Sequence, residues 1–245
     1  MEHRKLDVLI PLAGTSIFFN ESNYPFPKPL IEVNGKPMIQ LVLEQLNSME
    51  IVEKFIFVLN SEDCRKFHLD SVLRLLTDNR CEIIKLDKTT KGAACSVLMA
   101  IDEINPEKEL LICNGDQIIE EDYNDIIGHF RTDDYDAGVV TFNSVHPRWS
   151  YVRLDKKGEI IETAEKRPLS NSAIAGFYYF KKGQMFVDAA MKMIEKGASV
   201  NDAYYIAPTL NELVLQNCKL GVYAIENEKY HSFYSPQNIK AYESI

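Results

Sequence analysis

Asp7-Val8-Leu9-Ile10-Pro11-Leu12-Ala13-Gly14-Thr15-Ser16-Ile17-Phe18-Phe19, followed by Tyr24-Pro25-Phe26-Pro27-Lys28-Pro29-Leu30-Ile31-Glu32-Val33, is the stretch that decides how the rest of the chain reads. Val8 to Leu12 is a short apolar run between Asp7 and Gly14, the pattern of a strand buried on both faces, as in a parallel sheet. The residues after it, Ala13, Gly14, Thr15 and Ser16, put little bulk at the strand end, so backbone N–H groups can approach an anion and cradle phosphate oxygens. No lysine sits inside this loop. It comes later, at Lys28, between Pro27 and Pro29. Each proline fixes its own φ and restricts the residue before it, so the ammonium is carried on a stiff arm that loses little chain entropy on meeting phosphate.

Outward from this stretch, strand and helix alternate. Ile39, Val42, Leu43 and Leu46 make a helical stripe over 38–47, and Phe55–Leu59 is a second buried strand. Leu69, Val72, Leu73 and Leu76 predict a helix over 67–76, Glu82–Leu86 a third strand, Ala93–Ile104 a helix that stops before Pro106, and Leu110–Cys113 a fourth strand. Such an alternation implies a right-handed, largely parallel sheet with helices on both faces, whose ligands sit beyond the carboxyl ends of the strands near a switch in strand order. From Ala137 the pattern changes to strands without helices between them: 138–142, 151–154, 159–162 and 174–180, with a turn at Asp155-Lys156-Lys157-Gly158. Helices over 183–196 and 205–216, a strand over 219–225 and a terminal helix over 236–242 complete an α/β chain with a mixed sheet. It reads as one domain, 1–245, with a nucleotide-binding half (1–136) and an acceptor-binding half (137–245).

Bulk properties exclude several classes. A net charge of −9 with no basic run argues against a nucleic-acid partner. No apolar run reaches the ~20 residues of a membrane span, and Met1–Leu6 lacks the apolar stretch of a signal peptide. Five widely spaced cysteines, an odd number, read as reduced core residues of a cytoplasmic protein. A homodimer is the assembly this reading allows.

Two further segments carry chemistry. Thr90-Lys91-Gly92-Ala93-Ala94-Cys95-Ser96-Val97 puts small residues at a helix start, where free N–H groups favour a phosphate or a base edge; taken alone, it is equally a helix start with small packing residues. Cys113-Asn114-Gly115-Asp116-Gln117 ends a strand in a carboxylate at the mouth of the sheet, where Mg²⁺ (or Mn²⁺) can be held between Asp116 and phosphate oxygens.

Strand, small-residue loop, Phe26-Pro27-Lys28-Pro29-Leu30-Ile31-Glu32-Val33 and then Asn34-Gly35-Lys36-Pro37-Met38-Ile39 resemble the signature of the sugar-phosphate nucleotidyltransferases, the nucleoside-diphosphate-sugar pyrophosphorylases, whose fold is Rossmann-like (GT-A-like). The resemblance implies that Leu12, Ala13, Gly14, Thr15, Ser16, Lys91, Gly92, Ala93 and Asn114 contact the nucleotide and that Asp116 holds the metal. Glu162-Thr163-Ala164-Glu165-Lys166-Arg167-Pro168 and Ala173-Ile174-Ala175-Gly176-Phe177-Tyr178 resemble the family's Glu-Lys-Pro and Ala-Gly-Ile-Tyr elements. They imply an acceptor pocket with Lys166 on the acceptor phosphate, Glu165 on hydroxyls, Arg167 as a second phosphate contact, Gly176 letting the acceptor lie against backbone, and Trp149 nearby.

The implied reaction is NTP plus a sugar or polyol phosphate giving a nucleotide-activated product and pyrophosphate. Lys28, Asp116 and Lys166 would be its catalytic residues. CTP is the first guess, and surface or capsular polysaccharide precursors are the expected outlet. The chain departs from the family at Ser16 and Phe18, where a glycine and an arginine are usual, and at Ser232, where a second metal-binding aspartate would fall; either the metal is held by Asp116, phosphates and water alone, or Asp202 or His231 moves in. The other readings are a GT-A glycosyltransferase using a finished nucleotide sugar and a non-catalytic nucleotide or sugar-phosphate sensor.

Overall fold

The computed structural model describes residues 4–14, 16–19 and 24–245; Thr15, assigned above to the phosphate loop, lies outside them. β1 (Leu6–Pro11) is the central strand. After it come a one-turn 3-10 helix (Lys28–Leu30), the small hairpin β2 (Glu32–Val33) and β3 (Lys36–Pro37), and helix α1 (Met38–Asn47). β4 (Val52–Asn60) then lies parallel to β1 on one side. α2 (Ser61–Phe67) and α3 (Leu69–Leu76) lead to β5 (Cys81–Leu86), parallel to β4 on its outer edge. α4 (Ala93–Leu98) carries the chain back to β6 (Glu109–Cys113), parallel to β1 on its other side. The strand order therefore reverses between β1 and β6, and the carboxyl ends of these two strands form the crevice where an open α/β sheet takes its ligand.

β7 (Gln117–Ile119) and helix α5 (Tyr123–Thr132) precede β8 (Ala137–Asn143), β9 (Ser150–Leu154), β10 (Ile160–Glu165) and β11 (Ser172–Phe180). β11 runs antiparallel to β6, with Phe177 opposite Cys113, and so joins the second half of the chain to the first in one nine-stranded sheet. α6 (Gly183–Glu195), α7 (Thr209–Val214) and β12 (Leu220–Ala224) follow, β12 lying parallel to β8. β13 (Tyr230–Ser232) pairs with β7 in a separate two-stranded sheet, and α8 (Pro236–Glu243) ends the fold. No helix among the described residues is long and apolar enough to cross a membrane.

Alternate residues of β1 feed two cores. Val8 and Ile10 pack with Val42, Leu43 and Leu46 of α1 on one face, while Leu9 packs with Val97 of α4 and Leu210 of α7 on the other. All three strand residues are fully buried, as a strand covered on both faces requires.

The helix expected over 67–76 is broken at His68, which takes a left-handed φ of +53°. The preceding turns are helical as well, because the Asn60 side chain caps α2 by accepting from the Glu62 N–H at 2.8 Å. The helix expected over 93–104 keeps its α form only to Leu98, followed by a 3-10 turn at Ile101–Glu103. The helix expected over 205–216 shrinks to Thr209–Val214, since Pro208 lacks an N–H and sits at the start. α5, capped by the Asp122 side chain on Asn124 N–H, has no counterpart among the expected elements, and neither does the β7–β13 pair.

Candidate active site

Lys28 begins the 3-10 turn after Pro27, and its ammonium donates to the Asp116 carboxylate. Asp116 arrives from the other strand of the switch point, one residue beyond Gly115. A Cβ at Gly115 would collide with the Leu12 side chain and come within 3.1 Å of Ile10 Cγ2, so the glycine lets the end of β6 close against the end of β1 without displacing the Leu12 side chain. The backbone is fixed from outside too: Phe233 N–H donates to the Asp116 carbonyl at 2.7 Å, just beyond the β7–β13 ladder. Two rings flank the ammonium, Phe19 at 5.5 Å and Tyr234 at 5.8 Å. Phe18, where the family's arginine would fall, stacks edge-on against Tyr234 instead.

These groups line a cleft of about 620 Å³ that brings together Leu12, Gly14, Ser16, Lys28, Ala93, Asn114, Asp116 and Lys166. A side pocket of about 180 Å³ opens between Ala13, Gly14, Gly92 and Ala93, with Thr90 and Ser96 on its wall. The Thr90 and Ser96 hydroxyls are bonded to each other at 2.7 Å. Gly92 has φ +108°, and a Cβ there would meet the Tyr204 backbone nitrogen at 2.7 Å. The expectation of free N–H groups at this helix start needs correction, because Ala94 N–H donates to the Tyr204 carbonyl at 3.0 Å. Lys91 is exposed and lines neither the cleft nor this pocket; its carbonyl, not its ammonium, is engaged, accepting from Tyr204 N–H at 2.7 Å.

A second side pocket, about 160 Å³, is built by the antiparallel half and is lined by Asn114, Trp149, Glu165 and Gly176. Glu165 faces Ser150 across β9 and β10, accepts from its hydroxyl, and is buried; burial pushes its pKa up. Lys166, one residue on, takes a left-handed φ of +53°, a conformation that costs an ordinary residue about 1–2 kcal/mol. Its ammonium donates to Tyr205 OH at 2.7 Å, the bond that does most to hold its pKa up. Gly176 lines the pocket, but the reason for the glycine differs from the one expected. At φ +61° its missing Cβ leaves room for the Asn114 amide and Gln117 Oε1, not for a bound acceptor. Arg167 also departs from expectation. It turns away, pairs with Glu162 at 3.0 Å and is 68% exposed, so it lines none of these pockets.

Spacing alone did not mark three residues that the fold brings in: Tyr205, Tyr234 and Arg148. An arginine directly before the chain's single tryptophan was the available signal for the last. Neither residue that could move in for the missing aspartate lines the cleft. His231 lies 2.9 Å from Glu120 and stacks on Tyr242, and Asp202 sits in an exposed turn. Among the described residues no group of three His, Cys, Asp or Glu side chains could hold a metal by itself. Asp116 is the sole carboxylate lining the cleft among them. One carboxylate beside a phosphate-sized cleft fits Mg²⁺ (or Mn²⁺) that binds largely through nucleotide phosphates and water.

A family model described as "Nucleotidyl transferase" matches residues 24–227. The chain is 25% identical over 224 residues to the bifunctional protein GlmU of Methanococcus aeolicus, covering 89% of this chain and 49% of that one. It is 26% identical over 159 residues to the UTP–glucose-1-phosphate uridylyltransferase AglF of Haloferax volcanii, covering 63% of each. The chain thus spans about half the length of the bifunctional relative it matches. In structure, a nucleoside-diphosphate-sugar pyrophosphorylase from Vibrio cholerae superposes with a TM-score of 0.81 at 19% identity, covering 97% of this chain and all of that one, which establishes the shared fold.

Proposed function

The chain belongs to the nucleotidyl transferase family, and from that premise we propose that it transfers a nucleoside monophosphate from an NTP to a phosphorylated sugar or polyol, releasing pyrophosphate. An oxygen of the acceptor phosphate attacks the α-phosphorus in line, and the bond from that phosphorus to the β-phosphate bridging oxygen breaks. A phosphate monoester is already a competent nucleophile, so the protein's task is positioning and charge stabilisation.

Lys28 leaves Asp116 for the triphosphate and stabilises the charge that grows as pyrophosphate departs. Lys166, steered by Tyr205, aligns the acceptor phosphate. Glu165, held toward its neutral form by burial, exchanges hydrogen bonds with acceptor hydroxyls, Trp149 bounds the acceptor's body, and Asn114, which lines both the cleft and this pocket, sits between nucleotide and acceptor. A divalent cation entering with the nucleotide would be held by Asp116, freed from Lys28, and supplies Lewis-acid neutralisation of the phosphates. Leu12, Gly14 and Ser16 lie along the triphosphate. Ala13, Gly92 and Ala93 enclose the base, and we place CTP first among the nucleotides. The five free cysteines support a cytoplasmic site, and supply of surface-polysaccharide precursors is the outlet we assign.

The observation that supports this reading most strongly is the Lys28–Asp116 contact at the switch point between β1 and β6. The test is a matrix of four NTPs against sugar and polyol phosphates. Pyrophosphate from at least one pairing is expected. No pyrophosphate from any pairing, with nucleoside diphosphate released when finished nucleotide sugars are supplied, would indicate a glycosyltransferase instead, and tight nucleotide binding without turnover on either set would indicate a sensor.

A further inference from the structure

Among the described residues Arg148 is the single cation lining the acceptor pocket, and no carboxylate pairs with it. Its guanidinium carbon lies 4.2 Å from the centroid of the Trp149 ring and 5.6 Å from that of Tyr234. Trp149 is itself braced by Phe142 at 5.4 Å and Tyr230 at 5.7 Å, so the guanidinium rests on a fixed platform. Its Nε is shut off from solvent and has no hydrogen-bond partner among the described residues. A buried donor left unmade is costly, and a guanidinium that turns on its ring platform to meet an incoming acceptor removes that cost. Neither nearby carboxylate supplies it. Asp116 is bonded to Lys28, and Glu165 accepts from Ser150 and is held toward its neutral form by burial.

Position decides what kind of anion is missing. The pocket opens into the main cleft past Ala93, Asn114 and Tyr205, which line both. Lys28 and Lys166 line the cleft but not the pocket, whereas Arg148 lines the pocket but not the cleft. A phosphate reacting between the two lysines would thus leave Arg148 at the opposite end of the acceptor. The pocket's volume, about 160 Å³, suits a compact planar group there.

Resting on the transferase reading above, we propose that the acceptor carries a carboxylate at the end remote from its reacting phosphate, and that Arg148 binds it. The substrate class is therefore acidic: a phosphorylated sugar acid or hydroxy acid in place of a neutral sugar phosphate. Arg148 is then a specificity-determining residue. A planar guanidinium pairs with a planar carboxylate through two parallel hydrogen bonds, which a hydroxymethyl group in the same place cannot accept.

The test uses matched pairs that differ by the carboxylate: glucuronic acid 1-phosphate against glucose 1-phosphate, and 3-phosphoglycerate against glycerol 3-phosphate. Each pair is assayed for pyrophosphate release with the preferred NTP, and separately for binding by calorimetry, in the wild type and in Arg148→Gln. The glutamine keeps part of the stem over Trp149, and a thermal melt checks that the variant folds. For at least one pair the wild type should favour the acid about tenfold or more, chiefly in KM and in the calorimetric Kd. That ratio should fall toward one in Arg148→Gln. A wild-type ratio at or below one for both pairs overturns the proposal, as does a ratio that Arg148→Gln leaves unaltered. Absence of pyrophosphate with every acceptor would defeat the transferase reading, while the calorimetric ratio would still decide the role of Arg148.

Discussion

The first half of the molecule and the second hold their charges differently. At the carboxyl ends of β1 and β6, Lys28 is neutralised by Asp116, and the pair sits on an all-parallel, doubly covered part of the sheet. In the antiparallel half, Lys166 leans on the Tyr205 hydroxyl and Arg148 on aromatic faces, and no carboxylate among the described residues pairs with either. An internal ion pair keeps a deep cleft from carrying a bare charge, and an incoming polyanion has to displace it. Cations parked on rings and hydroxyls need no such exchange. The cleft at β1 and β6 is thus closed by its own charges, and the pocket of the antiparallel half is left open for an anion.

The largest expected effect comes from breaking the closed side. Asp116→Ala should strip the cleft of its one carboxylate and reduce kcat by about 10²–10³-fold, measured as pyrophosphate release at saturating substrates. On the open side the effects should be smaller and confined to the acceptor. Gly176→Ala adds a Cβ at a left-handed φ, against the Asn114 amide, so about 1–2 kcal/mol of strain is expected. Acceptor KM should rise several-fold more than nucleotide KM, and steady-state kinetics with each substrate varied in turn checks this.

Tyr205→Phe keeps the ring 4.8 Å from the Lys166 ammonium and removes only the hydroxyl. A loss of about 1 kcal/mol, several-fold in kcat/KM for the acceptor, follows if that bond positions the lysine.

The parallel half also holds an orphan at its far end. Asp7 is 1% exposed, neither carboxylate oxygen has a hydrogen-bond partner among the described residues, and burial pushes its pKa up. A carboxyl whose folded pKa is raised binds its proton more tightly in the folded state. Its protonated form therefore supports the fold at low pH, and that support is lost as pH rises through the folded pKa. Asp7→Asn should accordingly raise Tm at pH 7, by the equivalent of about 1 kcal/mol, with the gap over the wild type closing as pH falls toward the carboxylate range. Turnover should be unchanged, since Asp7 stands at the opposite end of β1 from the cleft.

The same contrast explains what the sequence could tell. In the parallel half, strands buried on both faces read as continuous apolar runs, and the proline-flanked lysine and the strand-end aspartate are local features, so Lys28 and Asp116 were legible before any coordinates. The acceptor half is assembled from strand partners far apart in the chain. Glu165 meets Ser150 and Gly176 meets Asn114 only through sheet register; Tyr205 enters from the stretch that drops out of the helix expected over 205–216, and Tyr234 from a segment with no periodic signal. Lys91 and Arg167 look like phosphate contacts in one dimension, because sequence does not show that one faces solvent and the other pairs with Glu162. The break at His68 escaped notice for a similar reason: a histidine in the left-handed region leaves no mark on apolar spacing.

The most direct measurement of the central claim is the single-turnover rate of pyrophosphate release for Lys28→Ala beside the wild type, with the NTP and acceptor chosen from the matrix. If the proline-mounted ammonium meets the triphosphate as pyrophosphate departs, the rate falls by about 10²–10³-fold while the folded protein still binds acceptor. A variant that releases pyrophosphate at the wild-type rate would contradict the account.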